Sequence, residues 1–266
     1  MNELEVIKNT ASPLSKKDLI KDLKTLGIKE TDDIILHVSL SKIGWIIGAE
    51  VTFLDAIQNV LKKGTLVMAT QTGQISDPTY WENPPVPKTW LPKIIEHMPA
   101  YNKDVTPTFR LGRVAKLFHR SKDVYRTNHP LNSFAAWGKY AKELSLICDY
   151  SNAFGTSSPV KFMIDHQFKI LQIGVDYDTT TVLHYVETQL SHAKTKTQKV
   201  FVIENNQRRV IDITDIDYSV EHFIDIGNAY EKKHFIKKGL IGQAKSKIID
   251  VPSLITFGIN YLNEIK

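Results

Sequence analysis

The chain has 266 residues, 42% of them hydrophobic and 24% charged, with a formal net charge of +5. This is an ordinary globular composition with enough apolar surface for a sizeable core. The N-terminus is polar and no run of about eighteen apolar residues occurs, so we expect neither a signal peptide nor a membrane span. Cys148 is the only cysteine, which excludes an intramolecular disulfide and favours a cytoplasmic location.

The positive charges and the histidines are both dispersed along the chain. The lysines form no single basic stripe and belong to no recognisable nucleic-acid-binding module, so no nucleic-acid partner is expected. The nine histidines contain no His-x-x-x-His pair and there is no cysteine cluster, so no metal site is expected. A Gly-x-Ser-x-Gly nucleophile elbow is missing, which argues against a serine hydrolase.

The first part of the chain predicts a strand–helix–strand unit with two parallel strands. A helix begins at the capping residue Ser15 and ends before Gly27. A buried strand follows, then a polar turn containing Gly44 and Gly48, a second helix and a second apolar strand. The predicted bounds are residues 15–26 and 51–61 for the helices, and 33–38 and 65–70 for the strands.

Residues 72–107 differ in character, because seven prolines accompany Tyr80, Trp81 and Trp90. A flexible low-complexity linker would lack these aromatic residues. The segment is predicted to be a long ordered loop, either a lid over a functional site or a structural cover that packs its tryptophans on the core. The sequence alone leaves both alternatives open.

Strands continue to alternate with helices in the rest of the chain, with one antiparallel hairpin turning at residues 205–207. We therefore predict an α/β/α sandwich with a mixed sheet and two closely packed subdomains, in a single domain of residues 1–266. The predicted bounds are 111–118, 139–146, 218–230 and 252–265 for helices, 124–137 for an extended segment, 168–175 for a strand, and 199–205 and 208–213 for the hairpin arms.

His184 has the sequence surroundings of a catalytic residue. It follows a buried strand and a polar turn, and a helix is predicted to begin there with Thr180 or Thr181 as its N-cap. A spacing of three places His184 and Glu187 on one helix face, so the carboxylate would orient the imidazole and stabilise its charged form. The pair predicts a general base; the alternative is a packed histidine beside a solvated glutamate.

Several segments, in order, resemble the aminoglycoside 3-N-acetyltransferase family of antibiotic N-acetyltransferases. The resemblance covers most of the chain from residue 19 to 187 and is looser beyond. It implies an α/β sandwich distinct from the GNAT acetyltransferases, and acetyl transfer from acetyl-coenzyme A to an amine, typically the 3-amine of a deoxystreptamine ring. The segments include residues 37–45 (HVSLSKIGW), 77–87 (DPTYWENPPVP), 126–138 (RTNHPLNSFAAWG), 155–159 (GTSSP) and 171–187 (LQIGVDYDTTTVLHYVE).

The resemblance also implies roles for individual residues. His184 would be the general base and Glu187 its partner. Because the single cysteine lies outside the matching segments, we expect direct transfer in a ternary complex. His37 is expected to be a satisfied strand histidine without a role, and His129 is a secondary candidate. The expected cofactor-binding residues are Ser39, Leu40, Ser41, Ile43, Gly44, Arg126, Ser133 and Phe134, and the expected acidic residues for a polycationic acceptor are Asp77, Glu82, Asp178 and Glu221.

Two functions of different classes follow from this resemblance. The first is an acetyl-coenzyme A-dependent N-acetyltransferase, and the second is a catalytically weak relative that binds coenzyme A or an aminocyclitol as a sensor or sequestering protein. The intact pair of His184 and Glu187 favours the enzyme, because a binding protein has no need of a base. The expected partners are the amine and acetyl-coenzyme A, without nucleic acid or membrane, and a homodimer is an open alternative to the monomer.

Overall fold

A seven-stranded mixed sheet forms the centre of the protein, and the computed structural model describes residues 3–265. The spatial strand order is β3-β4-β2-β1-β5-β9-β8, and a two-stranded hairpin, β6-β7, forms a separate sheet. The strands are β1 (Asp33–Val38), β2 (Thr65–Ala69), β3 (Val124–Arg126), β4 (Phe134–Gly138), β5 (Lys169–Ile173), β6 (Thr195–Glu204), β7 (Gln207–Ile216), β8 (Lys237–Ile241) and β9 (Ala244–Asp250).

Helices cover both faces of the large sheet, which confirms the predicted α/β sandwich. Clusters of buried side chains fill the two sides: α2, α4 and α6 pack on one, and α8 to α11 on the other. The helices are α1 (Glu3–Lys8), α2 (Lys16–Leu26), α3 (Leu40–Ile43), α4 (Ala49–Val60), α5 (Leu91–His97), α6 (Arg113–Phe118), α7 (Ala141–Ser145), α8 (Pro159–Asp165), α9 (His184–Thr188), α10 (Phe223–Lys233) and α11 (Val251–Glu264).

The predicted strand–helix–strand unit is present as β1, α4 and β2, with the two strands parallel. Helix α2 begins at the predicted cap, where Ser15 and Asp18 form a capping box, and ends at Gly27, whose φ of 100° lies in the left-handed region. The polar turn after β1 differs from the prediction, because residues 40–43 form one helical turn. The backbone amide of Ser39 bonds to Ile173 and holds this turn beside β5.

The second half of the chain carries more antiparallel structure than the sequence predicted. Strands β8 and β9 form a hairpin, and β9 pairs antiparallel with β5, which extends the sheet beyond its parallel centre. Lysines occupy many positions in these two strands and obscure the alternation of a half-buried strand. Helix α10, which was predicted to begin at residue 218, begins five residues later at Phe223. The division into a single domain stays a prediction.

The proline-rich segment packs against the β6-β7 hairpin. The Tyr101 amide bonds to the Phe201 carbonyl at 2.8 Å, and the Arg208 guanidinium bonds to the Met98 carbonyl at 2.7 Å. His184 lies at a cleft that is lined by residues from outside this proline-rich segment. The segment touches the rim of that cleft where the Asn83 carbonyl accepts a bond from Arg110. Of its two tryptophans, Trp81 packs on the cluster of Met98, Tyr101 and Phe201, whereas Trp90 is 58% exposed, so the predicted structural cover is present only in part.

Candidate active site

A cleft of about 330 Å³ lies at the carboxyl ends of β1 and β2, where open α/β sheets usually bind ligands. Its walls come from these strand ends, from the segment before α6, and from the segment between β5 and α9. The start of α10 closes one side. Lining residues include His37, Met68, Arg110, Asp178, His184 and Phe223.

His184 and Glu187 form the predicted pair. Nδ1 of His184 lies 2.7 Å from Oε2 of Glu187, and the imidazole is 9% exposed. The other carboxylate oxygen accepts a bond of 2.8 Å from the backbone amide of Ser219. Among residues 3–265, Nε2 of His184 has no hydrogen-bond partner, so this nitrogen remains available to a ligand in the cleft.

Aromatic rings fix the orientation of the His184 imidazole. Phe154 stacks on it with centroids 4.8 Å apart and an interplanar angle of 27°. Tyr218 meets it edge-on at 5.2 Å, and Phe223 lies at 4.8 Å. Tyr218 is itself held by a bond from its hydroxyl to Asp215. These three aromatic contacts therefore hold the His184 imidazole in one orientation.

The approach to α9 differs from the predicted N-cap. A 3-10 turn, Thr181–Leu183, precedes the helix, and Thr180 makes no side-chain cap bond. The hydroxyl of Thr180 instead accepts a hydrogen bond of 2.7 Å from the Gln172 amide. Gln172 belongs to β5, so the sheet itself positions the segment that leads to His184. Sequence reasoning missed both Gln172 and Ser219.

The predicted cofactor turn borders neighbouring cavities. Leu40, Ser41 and Gly44 line a cavity of about 330 Å³ together with Arg113, and Ser41 also lines a larger one of about 600 Å³. Gly112, next to Arg113 in the chain, lines the His184 cleft. The Ile43 side chain is buried in the core, and Ser39 is partly buried beside β5.

Three other predicted cofactor residues lie in the interior. Arg126 is 4% exposed and donates to the carbonyls of Thr70, at 2.6 Å, and Thr106, at 2.5 Å. Ser133 donates to Thr70 as well, and the Phe134 ring packs in the core. The guanidinium joins the chain next to β2 and β4 to the loop at Thr106. Arg126 therefore has a structural role in place of the expected contact with a cofactor phosphate.

The predicted acidic residues are separated in the structure. Asp178 is exposed and lines the His184 cleft. Asp77 is 4% exposed and is used as an anchor: one carboxylate oxygen accepts from the Thr79 amide and the other from the Lys199 amide. Glu82 and Glu221 are exposed and are not among the lining residues. Of the four predicted acidic residues, Asp178 is the one that lines this cleft.

Two further histidines are buried near these elements. His129 accepts bonds from the Leu131 and Asn132 amides through Nδ1, which orients its loop. His37 lines the cleft, but its Nε2 has no partner, so the expectation of a satisfied strand histidine is wrong. Burial lowers the pKa of each imidazole to about 4.

Within residues 3–265, no group of three or more His, Cys, Asp or Glu side chains is arranged to hold a metal ion. In the same part of the chain no helix is both long enough and apolar enough to cross a membrane.

Comparison with known proteins shows the family to which this chain is similar. Residues 35–263 match the family model described as aminoglycoside 3-N-acetyltransferase. The chain is 33% identical to the SPbeta prophage-derived aminoglycoside N(3')-acetyltransferase-like protein YokD of Bacillus subtilis, over 95% of this chain and 94% of that protein. It is 28% identical to aminoglycoside N(3)-acetyltransferase IX of Micromonospora chalcea, over 98% of each chain.

Solved structures agree with these relatives. The crystal structure of YokD from Bacillus subtilis superimposes with a TM-score of 0.97 at 32% identity, over 99% of each chain. A sisomicin-bound AAC-VIa structure gives a TM-score of 0.87 at 25% identity, over 96% of this chain and 99% of that one. The protein is of the acyltransferase class. More particularly, the chain belongs to the aminoglycoside 3-N-acetyltransferase family.

Proposed function

We propose that the protein transfers the acetyl group of acetyl-coenzyme A to an amine, with His184 as general base. The observation that carries this proposal is the 2.7 Å bond between His184 and Glu187 at the wall of an open cleft. A carboxylate on Nδ1 keeps that nitrogen protonated and directs the lone pair of Nε2 outward. Nε2 of His184 is therefore the nitrogen that a ligand in the cleft can approach.

The first step of the reaction depends on the protonation state of the acceptor amine. An amine at neutral pH is mostly an ammonium, so Nε2 of His184 removes a proton and exposes the nitrogen lone pair. The nitrogen attacks the thioester carbonyl and forms the new carbon–nitrogen bond. The carbon–sulfur bond breaks as His184 returns its proton to the leaving sulfur, and coenzyme A departs as the thiol. The second nitrogen proton then passes to the neutral His184 and on to solvent, which leaves the amide. A positioned base contributes about 10²–10⁴-fold to such a reaction. Glu187 stabilises the imidazolium that forms, and Ser219 holds Glu187 in place.

We propose direct transfer in a ternary complex. Cys148 is not among the residues that line the cleft, and desolvation raises the pKa of its thiol to about 11. A thiol with that pKa is almost wholly protonated at neutral pH and is a poor nucleophile. No acyl-enzyme on this cysteine is therefore expected.

We propose that acetyl-coenzyme A lies along the turn of residues 39–44. Its support is the cavity lined by Leu40, Ser41, Gly44 and Arg113, which follows in the chain directly after Gly112 of the cleft lining. The guanidinium of Arg113 is largely exposed and forms an ion pair of 2.8 Å with Glu50, and it is the cation of this cavity that would contact a phosphate. Because acetyl-coenzyme A is an intracellular metabolite, we propose that the protein acts in the cytoplasm. Whether it is a monomer or a homodimer stays open.

The acceptor that we propose is a polycationic amine of the aminoglycoside type. Its support is the family and the sisomicin carried by the related AAC-VIa structure. In this chain the carboxylate placed to meet such an amine is Asp178, on the cleft wall. The catalytically weak binding protein is the less favoured alternative, because the base and its partner are both in place.

Thiol release from acetyl-coenzyme A, measured with a panel of aminoglycosides and simpler polyamines, tests the proposal. The wild type should release thiol with at least one amine. His184→Ala should lower kcat by about 10²–10⁴-fold. His192→Ala, at an exposed histidine outside the cleft lining, is the control and should retain activity. An active His184→Ala protein would contradict the base assignment, and an inactive wild type would contradict the enzyme.

A further inference from the structure

His37 is a buried imidazole without a protein partner. It is the penultimate residue of β1, is 8% exposed, and lines the same cleft as His184. Its Nε2 is buried and bonds to none of the described residues 3–265. Buried polar atoms in native proteins are nearly always hydrogen-bonded. Because Nε2 is closed off from solvent, its partner has to be a protein group, and a ligand in the cleft can reach the ring only at Nδ1.

Gln172 is the register partner of His37 on the adjacent parallel strand β5. Its amide nitrogen donates to Thr180 Oγ1 at 2.7 Å and to the Asp176 carbonyl at 3.1 Å, so both amide hydrogens are used. Its Oε1 is buried and has no partner within residues 3–265. This oxygen can only accept, and it requires a donor. The two unpartnered atoms belong to register partners but form no bond in the structure, so a rotation of the His37 ring or of the Gln172 amide is needed to bring the imidazole Nε2–H to this oxygen.

The strand alternation directs both side chains toward the catalytic side of the sheet. Side chains two residues apart share a face. Ile35 and Ile170, two positions before His37 and Gln172, pack in the cluster that contains Leu183 and Val186. These two residues lie on either side of His184 in the chain, so His37 shares the face from which His184 approaches the cleft.

The charge state of His37 limits what it can do. Burial lowers the pKa of His37 to about 4, so the ring is neutral near pH 7 and has one N–H and one acceptor nitrogen. A ring this weakly basic does not retain the proton that the reaction releases. It can accept a hydrogen bond without competing with His184 for that proton.

We propose that His37 binds the attacking amine: its Nε2–H turns to Oε1 of Gln172, and Nδ1 accepts an N–H of the amine while His184 removes the transferred proton. The proposal rests on the acetyl transfer proposed above. After His184 has taken a proton, the amine nitrogen has two N–H groups and one lone pair. A bond from one N–H to His37 fixes rotation about the carbon–nitrogen bond and directs the lone pair toward the thioester carbon.

Steady-state kinetics with saturating acetyl-coenzyme A and the best amine of the panel test this role. His37→Phe removes both nitrogens and should lower kcat/KM for the amine by about 10- to 100-fold, with KM for acetyl-coenzyme A unchanged. His37→Asn keeps an acceptor and should stay within about fivefold of the wild type. His119→Phe is the matched control, because His119 is also buried with an unpartnered Nε2 but is not among the lining residues.

Three results would overturn the proposal: normal amine kinetics in His37→Phe, an equal loss in His119→Phe, or a loss in His37→Asn as large as in His37→Phe. If His37→Phe does not fold, His37→Asn decides, since a folded Asn variant with a tenfold or larger loss contradicts the role. A wild type that releases no thiol with any amine refutes both this inference and the proposed function. An active wild type with unaffected His37→Phe refutes only the role of His37.

Discussion

The side-chain amide of Gln172 donates a hydrogen bond of 2.7 Å to the hydroxyl of Thr180, and this bond ties β5 to the segment that leads into His184. On the other side of the histidine, the Ser219 amide holds the carboxylate of Glu187. The His184 ring is thus fixed both from the sheet and from the loop before α10. Fixed side chains lose less entropy when they bind a substrate, which suits a catalytic base.

Replacing Glu187 with Gln should impair the base without removing it. The amide can still accept from the Ser219 N–H, but the negative charge that stabilises the imidazolium is lost. We expect kcat to fall by about 10- to 100-fold, which corresponds to one charge-assisted hydrogen bond.

The control for this variant is Glu143→Gln, at an exposed glutamate on α7, which should leave kcat as in the wild type. A Glu187→Gln enzyme with unchanged kcat would show that the carboxylate has no part in the reaction.

Replacing Arg126 with Met should affect stability and leave cofactor binding intact. The variant leaves the buried carbonyls of Thr70 and Thr106 without their donor. We expect the free energy of unfolding to fall by about 2–4 kcal/mol, measured by urea denaturation, with KM for acetyl-coenzyme A unchanged. Arg120→Met, at an exposed arginine, should cost less than about 1 kcal/mol. A raised KM with normal stability would restore Arg126 as a phosphate ligand.

Asp178 should contribute to acceptor binding through its charge. Asp178→Asn is expected to raise KM for a polycationic amine by about three- to tenfold while kcat changes little, because an exposed carboxylate contributes about 1 kcal/mol to an ion pair. The effect should shrink at high salt, since exposed charges are screened. Glu96→Gln, at an exposed glutamate on α5, is the control. An unchanged KM at low salt would remove Asp178 from the acceptor site.

His37 should make the fold sensitive to mild acid. Its pKa is about 4 in the folded protein and about 6.5 in the unfolded chain, so between these values the unfolded state binds more protons and stability falls as the pH falls. From pH 7 to pH 5 this loss is about 2 kcal/mol. Urea unfolding of His37→Asn should show a correspondingly smaller loss over the same interval. An identical loss in both proteins would contradict the lowered pKa.

Local patterns were predictable wherever neighbouring residues determine the structure. The capping box at Ser15, the left-handed Gly27 and the parallel strands β1 and β2 follow from short-range spacing and period. The proline-rich segment was predicted to be ordered, but its contact with the β6-β7 hairpin was not, because that contact joins parts of the chain about a hundred residues apart. Strands β8 and β9 were missed because lysines obscure their alternation.

By itself, the sequence determined the pairing of His184 with Glu187, because three residues of helix suffice to bring the two side chains together. Only the tertiary structure decided which other polar residues face the cleft. Arg126 and Asp77 bond to groups 56 and 122 residues away in the chain and are used in the framework, and Ser219 reaches Glu187 across 32 residues. Whether a polar side chain meets backbone or open space depends on such distant contacts, which residue spacing does not encode.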